Sequence, residues 1–260
     1  LNKTIKRTMQ KYKNINDTYN YAFVGIPKGF GGRVTESFYG TLDEFYLQYP
    51  DIEITQSYPT VLYMHGSSGL YRGEVYQHYI VEELGYLFFA PNSYKIKNRP
   101  TYCSPAKLKK YMKVHRVRVA EIEYNSKRLL KSGFVDKNNL FLMGNSEGGL
   151  AVAIFKSKKF RARIVTAFSC ESSYFYKNFK LGSKKSEPLL NIVGTHDEFF
   201  GENTLYNNKY KVKGNGIEKL KNYKNAKVVI LPKAKHDLTK NIYVKSEILN
   251  FLQLWQEKRR

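Results

Sequence analysis

The chain has 260 residues, and 44 Lys and Arg against 22 Asp and Glu give it a formal net charge of +22. That length can bury a full core, and no apolar run approaches the ~18 residues of a membrane-spanning helix. Five scattered histidines and two cysteines, without H-E-x-x-H or a paired C-x-x-C, exclude the common zinc motifs, so neither a metal nor a cofactor is expected.

In chain order, residues 1–20 are polar and basic and predict a helix or arm on the outside. Residues 1–30 are read as an N-terminal extension packed on a single domain covering 1–260, because no Pro/Gly/Ser-rich linker divides the chain. Arg33–Gly40 and the alternating Ile52-Glu53-Ile54 predict early edge strands, for which antiparallel pairing is one option. A strand follows over 60–64, then a helix over 73–84, a strand over 86–90 and a helix over 113–132. The pattern continues with strand 139–143, helix 147–157, strands 163–168, 189–193 and 226–231, and a closing helix over 240–256. Alternating strands and helices imply an α/β fold with a mainly parallel central sheet covered by helices on both faces.

The apolar run Asn139–Met143 leads straight into Gly144-Asn145-Ser146-Glu147-Gly148-Gly149, and the apolar stretch Leu150–Phe155 follows. A buried strand, G-x-S-x-G and a helix make the context of a nucleophile elbow. The glycines let neighbouring backbones come close, and the strained turn lifts the Ser146 hydroxyl clear of the sheet. A serine nucleophile needs a base and a group that orients the base. His236 lies after the strand-like run Ala226–Leu231 and before the last helix, and Asp197 lies just beyond Leu189–Val193 and the turn at Gly194. A carboxylate at Asp197 that accepts a hydrogen bond from one His236 nitrogen leaves the other free to take the Ser146 proton. His196 competes as base, but it sits beside the acid, so its ring is expected to point away. Strand 60–64 ends in His65-Gly66-Ser67-Ser68-Gly69. The backbone N–H groups of Ser67 and Glu147 are the expected oxyanion donors, each worth ~3 kcal/mol at a transition state. All these residues fall at the carboxyl ends of predicted strands, where ligands bind in open parallel sheets.

His65-Gly66, the Gly144–Gly149 elbow, Gly194-x-x-Asp197 and His236 resemble the α/β-hydrolase superfamily, and their spacing is most similar to its dienelactone hydrolase-related branch. The resemblance spans residues 35–258. Pro91-Asn92-Ser93-Tyr94, followed by Arg99 and Cys103, also resembles the loop after the fourth strand in secreted members. It departs at the nucleophile, which is a cysteine in dienelactone hydrolases and Ser146 here, so lactone specificity is not carried over. The resemblance implies an α/β-hydrolase fold and a serine hydrolase that cleaves carboxylic esters through an acyl-enzyme on Ser146, with Asp197 and His236 completing the triad. Prolyl-peptidase-like enzymes share this core and supply the alternative, although they usually carry a large gating domain that 260 residues leave no room for. Large lids are usually inserted between the strands at 163–168 and 189–193, and only 20 residues intervene, so no large lid is expected. His65, Arg99 and Tyr174 are candidate substrate-binding residues, and Tyr174-Phe175-Tyr176 are placed to line the acyl or leaving-group pocket.

The run from Lys95 to Arg118 holds nine basic and no acidic residues. It reads either as an electropositive approach to Ser146 or as the solvated face of a lysine-rich chain. The expected partner is a small-molecule or glycan ester, with an anionic substrate as an option; non-catalytic binding of an anionic polymer is the reading from another class. No signature of a dedicated nucleic-acid module is present. Cys103 and Cys170 follow predicted strands at the active-site edge, so a disulfide between them is one reading and two free thiols the other. The chain opens on Leu1, as a processed or trimmed product would. A periplasmic or secreted location is therefore expected, with a cytoplasmic one as the alternative.

Overall fold

The computed structural model describes residues 3–202, 204, 207 and 211–257. The first elements are helices α1 (Lys3–Lys11) and α2 (Asp17–Asn20), strands β1 (Phe23–Ile26) and β2 (Phe38–Thr41), and helix α3 (Leu42–Gln48). Next come β3 (Tyr58–Met64), α4 (Gly73–Leu84), β4 (Leu87–Ala90), α5 (Leu108–Leu129), β5 (Val135–Asn145) and α6 (Glu147–Ile154). The rest comprises β6 (Arg163–Thr166), β7 (Leu189–Gly194), α7 (Ile217–Leu220), β8 (Ala226–Leu231) and α8 (Ile242–Trp255).

Eight strands form one open sheet in the order β2-β1-β4-β3-β5-β6-β7-β8. β1 runs antiparallel to both β2 and β4, and every other pairing is parallel. Side chains alternate across the pleat, so the two central strands feed two cores. Leu62 and Met64 of β3 join Leu140 and Leu142 of β5 in one cluster, with Ile122 of α5 and Leu150 of α6. Val61, Tyr63, Phe141 and Met143 face the other way, against Tyr76 and Ile80 of α4 and Ile248 and Leu252 of α8. Each of these fully buried side chains contributes roughly 1.5–3 kcal/mol by leaving water. The helices therefore cover both faces, and no helix lies within residues 167–188, where a lid would be inserted.

Local chemistry sets the shorter elements. Thr41 caps α3, and Glu44 reaches back at 2.7 Å to the Thr41 N–H, a capping box. Gly85 closes α4 in the left-handed region at φ 66°, where a β-carbon would be strained.

Three expectations change. Ile52-Glu53-Ile54 is not a strand; Ile52 and Ile54 pack against the first core from an irregular connection, which gives the same alternation without a sheet partner. Phe23–Ile26, expected within an outer extension, is a strand inside the sheet, while α1 lies outside, with Ile5 and Met9 packed near Val117 and Ala120 of α5. Cys103 and Cys170 are both free thiols: Cys170 is sealed in the first core, and Cys103 is exposed on its loop. Burial pushes the Cys170 thiol far up from its ordinary pKa, which keeps it protonated. A compartment argued from a disulfide loses that support. Among the described residues no helix is long and apolar enough to cross a membrane.

Candidate active site

Ser146 sits between β5 and α6 at φ 53°, ψ −116°, a backbone conformation that costs on the order of 1–3 kcal/mol for a residue with a side chain. The surroundings hold it there. Its N–H donates to the Thr166 carbonyl at the end of β6 at 3.0 Å, and its carbonyl accepts from Leu150 N–H at 2.9 Å. A β-carbon on Gly144 would lie 2.5 Å from the Gly148 oxygen, and one on Gly148 would lie 1.9 Å from the Met64 oxygen. Both glycines of the elbow are therefore fixed by backbone contact.

The Ser146 hydroxyl lies 2.9 Å from His236 Nε2, and His236 Nδ1 lies 2.7 Å from Asp197 Oδ2. The other oxygen of Asp197 accepts the N–H groups of Phe199 at 2.8 Å and Phe200 at 3.0 Å, so the carboxylate is fully engaged and buried. Asp197 follows β7 and His236 follows β8, which pair in register as far as Gly194 and Leu231. That pairing brings the two loops together. Glu198 instead accepts the backbone N–H of His236 at 3.2 Å, and His196 is exposed with its ring outside the chain of hydrogen bonds.

The loop after β3 also comes close to Ser146. A β-carbon on Gly66 would be 3.6 Å from Ser146 Cβ, and Ser67 lines the same cavity as Ser146. The Glu147 N–H opens α6 and has no carbonyl one turn back to receive it. Ser67 thus shares the cavity with Ser146, and Glu147 directly follows Ser146 at the start of α6.

His65 and Arg99 do not face the cavity. His65 is completely buried beneath the loop: Nδ1 donates to the Gly66 carbonyl at 2.7 Å, and Nε2 accepts the Ser93 N–H at 3.3 Å. Burial and the nearby Arg118 cation hold its pKa well below the ordinary value, so it is a neutral brace. Arg99 turns inward to the Glu147 carboxylate at 2.6 Å and to Ser93 Oγ at 2.7 Å. Arg118, also buried, donates to Glu121 at 2.6 Å and to the His65 carbonyl at 2.6 Å, and its Nε stands 3.5 Å from Glu147. One polar network therefore ties the first residue of α6 to the loop after β3, from behind. Removing one member of such a network leaves a buried charge without its partner, at about 3–5 kcal/mol.

The cavity over Ser146 has a volume of about 440 Å³. One wall is aromatic. Tyr102 meets Phe175 edge-to-face at 5.5 Å, Tyr174 stacks on Phe200 at 6.1 Å, and Phe199 stands edge-on to His236 at 4.8 Å. Tyr174 and Phe175 line it as expected, whereas Tyr176 packs near His115 at 5.7 Å, away from Ser146. The cavity is also lined by Arg72, paired with Asp237, the residue after His236. Arg72 is the one cation among the described lining residues, so the lysines of the run 95–118 do not form the wall. The sequence offered no signal for Tyr102, Phe199, Phe200, Arg72 or Asp237, since none stands in a motif.

Among the described residues no cluster of His, Cys, Asp or Glu could hold a metal ion. No family model and no curated protein matches the chain by sequence. Solved structures match its fold. A protein described as a candidate dienelactone hydrolase from Klebsiella pneumoniae superposes with TM-score 0.56 at 17% identity, over 78% of this chain and 88% of that one. The carboxylesterase EstE1 from a metagenomic library gives 0.54 at 12% identity, over 97% and 96%. A ferulic acid esterase from Anaeromyces mucronatus gives 0.53 at 15% identity, over 91% and 94%. The architecture is thus the α/β-hydrolase fold, with the mainly parallel sheet seen in those structures.

Proposed function

We propose that the chain is a serine-dependent hydrolase of carboxylic esters. The observation that carries this is the continuous hydrogen-bond path Ser146–His236–Asp197, of which Ser146 and His236 line the cavity. In this mechanism His236 Nε2 takes the Ser146 proton as Oγ bonds to the ester carbonyl carbon. The N–H groups of Ser67 and Glu147 receive the negative oxygen that results. The intermediate collapses, the C–O bond to the alcohol breaks, and His236 returns the proton to the departing oxygen. Water then releases the acid from Ser146 by the same steps. The aromatic wall of Tyr102, Tyr174, Phe175 and Phe200 favours a ring-bearing acyl half, whose face and edges those rings can match.

A fluorophosphonate probe tests the assignment. It is expected to label Ser146, and Ser146→Ala is expected to lose the label and several orders of magnitude in ester turnover. Equal labelling of the alanine variant rejects the nucleophile.

A further inference from the structure

Along α5, Met112, His115, Arg116, Val119, Glu123 and Lys127 recur at helical spacing and form one stripe of its surface. From Met112 to Lys127 the stripe extends about 22 Å by the rise of an α-helix. It lines a groove of about 800 Å³, together with Thr4 and Ile5 of α1 and residues from the segments 154–159 and 176–180. Among the described residues, none that lines this groove also lines the catalytic cavity.

The charge of the groove is one-sided. Arg116, Lys127, Lys156, Lys159 and Lys180 line it, against one carboxylate among the described lining residues, Glu123. That carboxylate is already engaged: one oxygen lies 2.8 Å from Lys127 Nζ and the other 3.0 Å from Lys159 Nζ. Among the described residues Arg116, Lys156 and Lys180 have no ion-pair partner. The groove is also partly apolar. Ile5, Val119, Ile154 and Tyr176 pack against the first core yet are only partly buried, so the core reaches the surface here. Apolar surface left open beside a ring of like charges marks a place where another molecule docks.

We propose that this groove docks a peptide segment of a partner protein in which acidic and apolar residues alternate. The inference does not rest on the ester-hydrolase reading. Charge and shape together decide the partner. A second copy of this chain would bring its own excess of Lys and Arg, so like charges would meet. A bare polyanion would pair the cations and leave Ile5, Val119 and Ile154 uncovered. A single strand of nucleic acid binds by stacking successive bases on aromatic rings, and Tyr176 is the one Phe, Tyr or Trp among the described lining residues. An extended peptide of about seven residues matches the length of the stripe. Its successive side chains point to opposite sides, so one row covers the apolar residues and the other carries carboxylates. The long, flexible stems of Lys156 and Lys180 let their charged heads follow that outer row.

Fluorescence anisotropy with labelled synthetic octapeptides tests this, at ~0.15 M salt, where exposed charges are screened beyond about 8 Å. The probes are Glu-Leu repeated four times, Glu-Ser repeated four times and Lys-Leu repeated four times. The Glu-Leu peptide is expected to bind about tenfold more tightly than Glu-Ser, and Lys-Leu is expected not to bind. Reversing two exposed cations of the groove, Arg116→Glu with Lys180→Glu, is expected to weaken Glu-Leu binding by at least about tenfold at an unchanged melting temperature. Reversing two exposed lysines outside it, Lys28→Glu with Lys240→Glu, is expected to change binding by less than about twofold. Ser146→Ala is expected to bind as wild type does, so failure of the ester-hydrolase reading leaves this result standing. Equal affinity for Glu-Leu and Glu-Ser, or equal losses in the two charge-reversed proteins, overturns the docking groove in favour of attraction to any anion. Failure to bind Glu-Leu, with retention on phosphatidylglycerol vesicles that depends on Arg116 and Lys180, overturns it in favour of a membrane surface.

Discussion

Gly148 stands so close to β3 that a β-carbon on it would lie 1.9 Å from the carbonyl oxygen of Met64. The contact is backbone against backbone, so no side-chain rotation can relieve it. A β-carbon on Gly66, by contrast, would lie at an ordinary 3.6 Å from Ser146 Cβ. Gly148→Ala is therefore expected to force the elbow away from β3 and to cost about 3 kcal/mol or more. Gly66→Ala is expected to fold with a nearly unchanged melting temperature and to lose activity by crowding the nucleophile. Denaturation midpoints and ester turnover of the two variants check this pair, and comparable stability in both rejects the steric account.

Asp197 and Glu198 are adjacent, yet only Asp197 reaches the His236 ring; Glu198 touches the backbone N–H of the same residue. Asp197→Asn is expected to keep the fold and cut kcat by about 10⁴, since an amide favours the wrong imidazole tautomer. Glu198→Gln is expected to stay within about threefold of wild type, as it removes no contact to the ring. Steady-state kinetics on one aryl ester decides it. The reverse order of effects would make Glu198 the orienting acid.

The parts of this site that were legible in the sequence share one property: they are set by local rules. Ser146 needs close backbone approach, which demands glycines at fixed spacing, and Asp197 and His236 stand directly after strands rich in apolar residues. Arg99 and His65 were equally visible, but their direction was not. Each could turn to the cavity or inward, and the choice is made by Glu147 and Ser93, which come from other segments. The aromatic wall was hidden for the same reason: Tyr102, Tyr174 and Phe200 come from three loops that only the sheet order brings together. β1 was missed because four residues containing Gly25 carry too little periodicity, whereas Ile52-Glu53-Ile54 alternates without a partner strand.

The network behind the oxyanion loop makes a separate prediction. Arg118 serves Glu121, the His65 carbonyl and Glu147 at once, and all four residues are buried. Arg118→Met is expected to destabilise the fold by about 3–5 kcal/mol, because two carboxylates then share too few donors. Arg118→Lys restores the charge without the fork and is expected to recover only part of that loss. Urea denaturation of the three proteins measures it. A methionine variant as stable as wild type would show that the network contributes nothing net.

Two buried histidines make stability depend on pH with a definite sign. Burial lowers the pKa of His115 to about 4, and burial with the Arg118 cation lowers that of His65 well below its ordinary value. Both are neutral in the folded state, while in the unfolded chain each titrates near ~6.5. The unfolded state therefore binds more protons below that value. The stability held above pH ~6.5 is lost as pH falls, for His115 down to about 4. Each histidine contributes a slope of roughly 1 kcal/mol per pH unit across its window. His115 Nε2 donates to the Phe175 carbonyl at 3.1 Å, a bond that a glutamine amide can supply without titrating. His115→Gln is expected to lower stability somewhat at neutral pH and to make its decline toward pH 5 shallower by about that one-histidine slope. Chemical denaturation at closely spaced pH values reads both effects, and identical slopes for the variant and wild type reject the role assigned to His115.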